Sequence, residues 1–193
     1  MGRRLLNNLK TEIDKIKEND TREIIKKILL ECSDYNCDGG ASSSGKYHPE
    51  FSLGQGGLIR HTKAVCAAVE TLVKMNPMYD NPRNWDVLYC AAILHDMKKY
   101  TEIDQGYSHN NHPILMANLI REYNKFFQCE YLERIAQCVE THMSRWHTNP
   151  KNENEKWGVP PSNMEHMIVA MADMLVAQKF IRIDFDGNEI IYG

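Results

Sequence analysis

The sequence predicts an all-α fold, a helical bundle closed by a short C-terminal β-hairpin. Apolar residues return every three or four positions in one segment after another. Helix-start signals, an Asp or Ser followed three residues later by Glu, stand ahead of two of those segments, at Asp20 and Ser162. Strand-like patterning is confined to the stretch after residue 179, where Phe180–Phe185 and Asn188–Tyr192 flank Asp186-Gly187.

A chain of 193 residues is long enough to bury one core. Its 42% hydrophobic and 25% charged residues are ordinary for a soluble domain, and the net charge of -3 argues against coating nucleic acid. Arg3 and Arg4 are followed by no apolar segment of signal-peptide type, and Leu6 stands where myristoylation requires Ser or Thr. No run of about 18 apolar residues is present to span a bilayer. The expected location is therefore the cytoplasm, away from membranes. Cys32, Cys37, Cys66, Cys90, Cys129 and Cys138 form no Cys-x-x-Cys pair and are expected as reduced core residues.

Taken in order, residues 1–19 read as an amphipathic helix carrying Leu5, Leu6, Leu9, Ile13 and Ile16 on one face. Asp20-x-x-Glu23 opens a second helix with Ile24, Ile25, Ile28 and Leu29. Both are expected to pack on the core, with homodimerisation through this arm as the alternative. Residues 33–58 are loop-like, rich in Gly, Ser, Asn and Asp. His61 opens the next helix, one turn before Val65 on the buried stripe. After a turn at Pro82, Trp85, Leu88, Ala91, Ala92 and His95 share a face, with Asp96 beside it. Thr101–Asn111 reads as a loop that delivers His109 and His112, and Pro113 suits a first helical turn. Ile135, Val139 and His142 align on a further helix. Residues 145–161 read as loop, and Ser162-x-x-Glu165 opens the last long helix, which carries Asp173 within an apolar face. There is no internal repeat. One domain spans 1–193, divided into N-terminal helices (1–35), a core (46–178) and the hairpin (180–192).

His95 and Asp96 end the run Ala91-Ala92-Ile93-Leu94. Burying both costs free energy unless something pairs with them, and a divalent metal does so because it takes imidazole nitrogen and carboxylate oxygen together. His61, His112, His142 and Asp173 stand on, or at the end of, apolar stripes in the same way. Their convergence on metal would resolve every case at once.

The order His61, His95-Asp96, Asp173 resembles the HD-domain superfamily of metal-dependent phosphohydrolases, an all-helical fold. Gly56-Gly57-Leu58-Ile59-Arg60-His61-Thr62 and Ala91–Asp96 carry the resemblance, which runs from about Phe51 to Ala177. His112-Pro113 and His142 match the two extra histidines of the family's binuclear branch. Lys98 departs from the family's glycine, while Lys99 keeps its lysine. The resemblance implies one ion held by His61, His95, Asp96 and Asp173, with Asp96 bridging to a second completed by His112 and His142; His109 is the alternative to His112. The implied cofactor is a divalent transition metal, two ions of Mn, Fe, Ni, Co or Zn.

The implied reaction is hydrolysis of a phosphoester bond in a nucleotide or short oligonucleotide by a metal-activated hydroxide. Asp96 and Lys99 would be catalytic. Lys99, one turn beyond His95, would also bind phosphate, and Arg145, Trp146 and His147, which follow His142 closely, would form a substrate rim. His48 and Tyr47 are further candidates for the pocket border. Two other classes stay open: a di-iron oxygenase on the same six ligands, and a non-catalytic sensor of a nucleotide or metal.

Overall fold

Ten consecutive positions, Trp85 to Leu94, are buried without exception, and the other helices are arranged around the helix that contains them. The computed structural model describes residues 2–42, 45–46, 48–101 and 108–192. Ser43, Ser44, Tyr47 and the part of the predicted 101–111 loop that holds Gly106 lie outside them. Among the described residues there are eight α-helices and two short antiparallel strand pairs, an all-α fold with small β appendages. They are α1 (Arg3–Asn8), α2 (Lys10–Asp14), α3 (Asn19–Leu30), α4 (Gly57–Lys74), α5 (Pro82–Leu94), α6 (His112–Phe127), α7 (Glu130–Thr141) and α8 (Met164–Val176). Helices α4, α7 and α8 pack on α5, and α6 lies against α7. No helix among the described residues is long and apolar enough to cross a membrane.

The single helix expected over 1–19 is broken in two at Leu9, whose φ of -105° and ψ of 16° leave the helical region. Leu5, Leu9, Ile13 and Ile16 are nevertheless all in the core. The start expected at Asp20 is also displaced. Helix α3 begins at Asn19, and Asp20 falls in its first turn. The entry to α3 is held from a distance: the buried carboxylate of Asp86 on α5 accepts the backbone N–H groups of Lys17 and Glu18, each at 2.8 Å. These are charge-assisted bonds that fix the chain where it enters the helix. Asp86→Ala is expected to lower unfolding free energy by about 2–3 kcal/mol, because it removes two charge-assisted hydrogen bonds from a buried carboxylate. Chemical denaturation tests this, and a loss under about 0.5 kcal/mol, the level of an ordinary surface change, would contradict it.

Helix α4 starts at Gly57, a turn earlier than the predicted opening at His61. Gly56 holds a φ of 72°, which favours glycine, and a Cβ on Gly57 would run into the backbone carbonyl of Ser52. Both features are set by the loop folded against the helix start. Pro82 occupies the first turn of α5, where Asn81 caps by accepting the N–H of Asn84 at 3.0 Å. At α8 the expected Ser162–Glu165 box does not form. Asn163 is the cap, accepting the His166 N–H at 3.0 Å, because Glu165 is taken by Arg134 from α7.

The 145–161 segment, predicted as loop, contains a strand pair, β1 (Thr148–Asn149) with β2 (Asn152–Lys156). All five β2 residues are exposed, so no apolar alternation marked it. The C-terminal hairpin pairs Phe185 with Ile190 and Asp186 with Glu189, which makes β3 (Phe185–Asp186) and β4 (Glu189–Ile190) shorter than the predicted strands. Residues before it turn instead, with the Ile181 N–H donated to the Gln178 carbonyl at 3.0 Å. The hairpin is tied to α4 by Lys63, a fully buried lysine that pairs with Glu189 at 2.6 Å and with Glu12 of α2 at 3.2 Å.

Candidate metal centre

Helix ends position most of the site. His95 caps the C-terminus of α5 and His142 that of α7, where backbone carbonyls lack helical partners. Each imidazole satisfies one of them: Nδ1–H of His95 donates to the Ala92 carbonyl, and that of His142 to the Val139 carbonyl, both at 2.7 Å. His112, the first residue of α6, does the same to the His109 carbonyl at 2.6 Å. With the proton held on Nδ1, each ring presents the lone pair of Nε2 to the interior. His61 enters from the second turn of α4, and Asp173 from the last turn of α8. Asp96 follows His95 in a turn pinned by Asn36, whose buried amide donates to the Met97 carbonyl and accepts the Tyr100 N–H.

These side chains form two adjoining groups of ligand type, His61 with His95 and Asp173, and Asp96 with His112 and His142. In the first, His61 Nε2 lies 2.9 Å from Asp173 Oδ1, and His95 Nε2 lies 3.9 Å from the same oxygen. In the second, Asp96 Oδ1 lies 2.8 Å from His112 Nε2 and 3.7 Å from His142 Nε2. The other oxygen of Asp96 faces the first group, 3.6 Å from His95 Nε2. It also accepts from Lys99 Nζ at 2.9 Å.

Burial and neighbouring charge set the protonation of these groups. Burial pushes the His95 imidazole down to about 4, which keeps it neutral, and burial likewise lowers His112. Burial opposes ionisation of Asp96, but the Lys99 ammonium and the His112 hydrogen bond outweigh it and hold the carboxyl well below the usual range. Asp173 is buried too, and the hydrogen bond and charge of His61 hold its carboxyl down. Burial lowers His142 as well, but the Asp96 hydrogen bond and the two carboxylates raise it overall.

Two observations test whether a metal fits. Nε2 of His95 is buried with no hydrogen-bond partner at all, a cost of about 1–3 kcal/mol if left so. Nε2 of His112 and of His142 stand 3.3 Å apart with both Nδ1 protons already committed, so the pair needs either an added proton or a cation between them. Imidazole nitrogens with carboxylate oxygens suit a divalent transition metal. The residues present fit such a group.

A cavity of about 280 Å³ opens above the two groups. Lys99, Arg145 and Trp146 line it together with Asp96, His112, His142 and Asp173. The Arg145 guanidinium lies 5.0 Å over the Trp146 ring at the exposed mouth. His147 is not on this wall. Its Nδ1 donates to the Ser144 carbonyl, and its own carbonyl receives the Trp157 and Gly158 N–H groups, so it anchors the β1–β2 segment instead. His109 supplies the carbonyl that orients His112, while its ring belongs to neither ligand group. His48 is on the wall; Tyr47 lies outside the described residues. Met143, Met174 and Gln178 also line the cavity and were not anticipated. Met174 and Gln178 are the neighbour of Asp173 and a residue about one turn beyond it, so extending the face of α8 would have found them.

The family model described as HD domain matches residues 58–178. Neither a curated protein nor a solved structure is matched by this chain.

Proposed function

Because the chain belongs to the HD-domain family of metal-dependent phosphohydrolases, we propose that it cleaves a phosphoester bond of a nucleotide or short oligonucleotide, using two divalent transition-metal ions. His61, His95, Asp96 and Asp173 would hold the first, and Asp96, His112 and His142 would hold the second. The observation that carries this reading is the convergence of four inward Nε2 atoms on two carboxylates, with Nε2 of His95 left without any partner. When bound, ions here supply Lewis acidity, lowering the pKa of water toward about 7 and neutralising phosphate oxygens.

The chain's own residues do the rest. Lys99 spends one N–H on Asp96 and directs its remaining donors to a phosphate at the cavity wall. Arg145 offers a fork of donors to a second phosphate oxygen, and Trp146 presents a ring face on which a base stacks. His147, turned away from the wall, has no part in this.

The test is hydrolysis of bis-p-nitrophenyl phosphate by the purified chain with Mn²⁺, alongside oxygen uptake with the iron-loaded protein. Turnover of the phosphodiester without oxygen uptake is expected. Oxygen consumption, or nucleotide binding without turnover under any metal, would reject the hydrolase. His112→Ala is expected to lower bound metal from two ions to one per chain by elemental analysis. An unchanged stoichiometry would reject the second site.

A further inference from the structure

His61 differs from the other three histidines of the centre. His95, His112 and His142 each donate Nδ1–H to a backbone carbonyl, but Nδ1 of His61 is buried with no partner. Its Nε2 faces Asp173 at 2.9 Å, a contact that needs the proton on Nε2. To offer Nε2 to an ion, His61 must move that proton to Nδ1, where a buried N–H needs an acceptor. Metal-ligating histidines nearly always have one, and its loss costs 10–100-fold in metal affinity.

One other buried imidazole nitrogen outside the two ligand groups is also unpartnered, Nδ1 of His48. The His48 ring packs edge to face against that of His61, with centroids 5.6 Å apart. The loop before α4 carries it there: Pro49 starts a 3-10 turn over Glu50–Ser52, and the Ser52 carbonyl receives the Ala41 N–H at 2.9 Å.

We propose that His48 is a positioning residue for the metal centre: Nδ1 of His48 accepts the Nδ1–H of His61, directly or through one water, and so selects the tautomer of His61 that binds an ion. The two unpartnered nitrogens then satisfy each other. The inference rests on the metal-centre reading above.

The experiment is titration of the metal-free full chain with Mn²⁺ by calorimetry, for wild type, His48→Phe and His48→Asn. Phe keeps an aromatic ring without an acceptor. Asn places its amide oxygen where Nδ1 of His stands. The expected result is a 10–100-fold weaker binding step in His48→Phe, recovered to within about threefold in His48→Asn. In the Zn²⁺-loaded wild type, long-range ¹H–¹⁵N spectra should show His61 protonated at Nδ1. Wild-type affinity in His48→Phe with only KM raised would make His48 a substrate contact and overturn the proposal. Equal losses in both variants would also overturn it, because the ring and not the acceptor would then matter. If the wild type takes up no metal, the metal-centre reading fails first and this inference with it.

Discussion

Replacing Asp96 with alanine is expected to reduce phosphodiester hydrolysis by on the order of 1000-fold or more, equal to about 4 kcal/mol of transition-state stabilisation. Asp96 places an oxygen toward each ligand group. Its Oδ1 stands 2.8 Å from His112 Nε2, and its Oδ2 stands 3.6 Å from His95 Nε2. Removing it therefore takes an oxygen from each group at once, and metal content should fall with turnover. It also leaves Lys99 in the cavity wall without the carboxylate that burial and charge have matched to it. Asp96→Asn keeps the shape and one acceptor while removing the charge, so it separates coordination from packing. Both variants should be assayed for bound metal by elemental analysis and for turnover of the same substrate. Full metal content with near-normal turnover in either would remove Asp96 from the chemistry.

Lys63→Met is expected to destabilise the fold by roughly 3–5 kcal/mol, without any contact with the cavity. Lys63 is buried, and Glu12 beside it is nearly so. Burial already raises the Glu12 carboxyl despite the opposing charge of Lys63. Without the lysine, an uncompensated carboxylate is left between α2 and α4. The pH dependence follows from the direction of that shift. A carboxyl whose folded pKa lies above its unfolded one costs stability as pH rises through the folded value. The deficit should be small below the ordinary value of 4.5 and grow as pH rises toward neutrality. Urea denaturation at both pH values measures this. The double variant Lys63→Met/Glu12→Leu should recover most of the loss, since a buried pair is often replaceable by apolar side chains. A single-variant loss under about 1 kcal/mol at neutral pH would mean that the pair holds nothing.

Much of the centre was legible before any coordinates. His61, His95, His142 and Asp173 each sit where an apolar stripe demands a buried residue, and an ionisable group there is out of place unless it is paired. The sites of helix initiation were less legible. Ser162-x-x-Glu165 has the form of a capping box, but Arg134, 31 residues away, claims Glu165, and Asn163 caps in place of Ser162. Asp20 has the form of a cap as well, but Asp86, 68 residues from the N–H it accepts at Glu18, holds the chain so that the helix starts at Asn19. A local pattern loses where a group distant in sequence holds the same stretch of chain. His147 shows the same limit in the site. Its closeness to His142 in sequence suggested a shared pocket, but the Ser144 carbonyl holds its ring away.

By itself the sequence determined the helical class, the buried stripes and the kinds of atom that end them, because a period of 3.6 residues and the hydrophobic effect act over one or two turns. Only the tertiary structure decided that Asp96 turns one oxygen to each ligand group, that His112 and not His109 faces inward, and that His61 is left without a backbone carbonyl for its second nitrogen. Those are relations between atoms on different helices. Their distances come from how α4 to α8 pack together, which the spacing of residues along one helix does not contain.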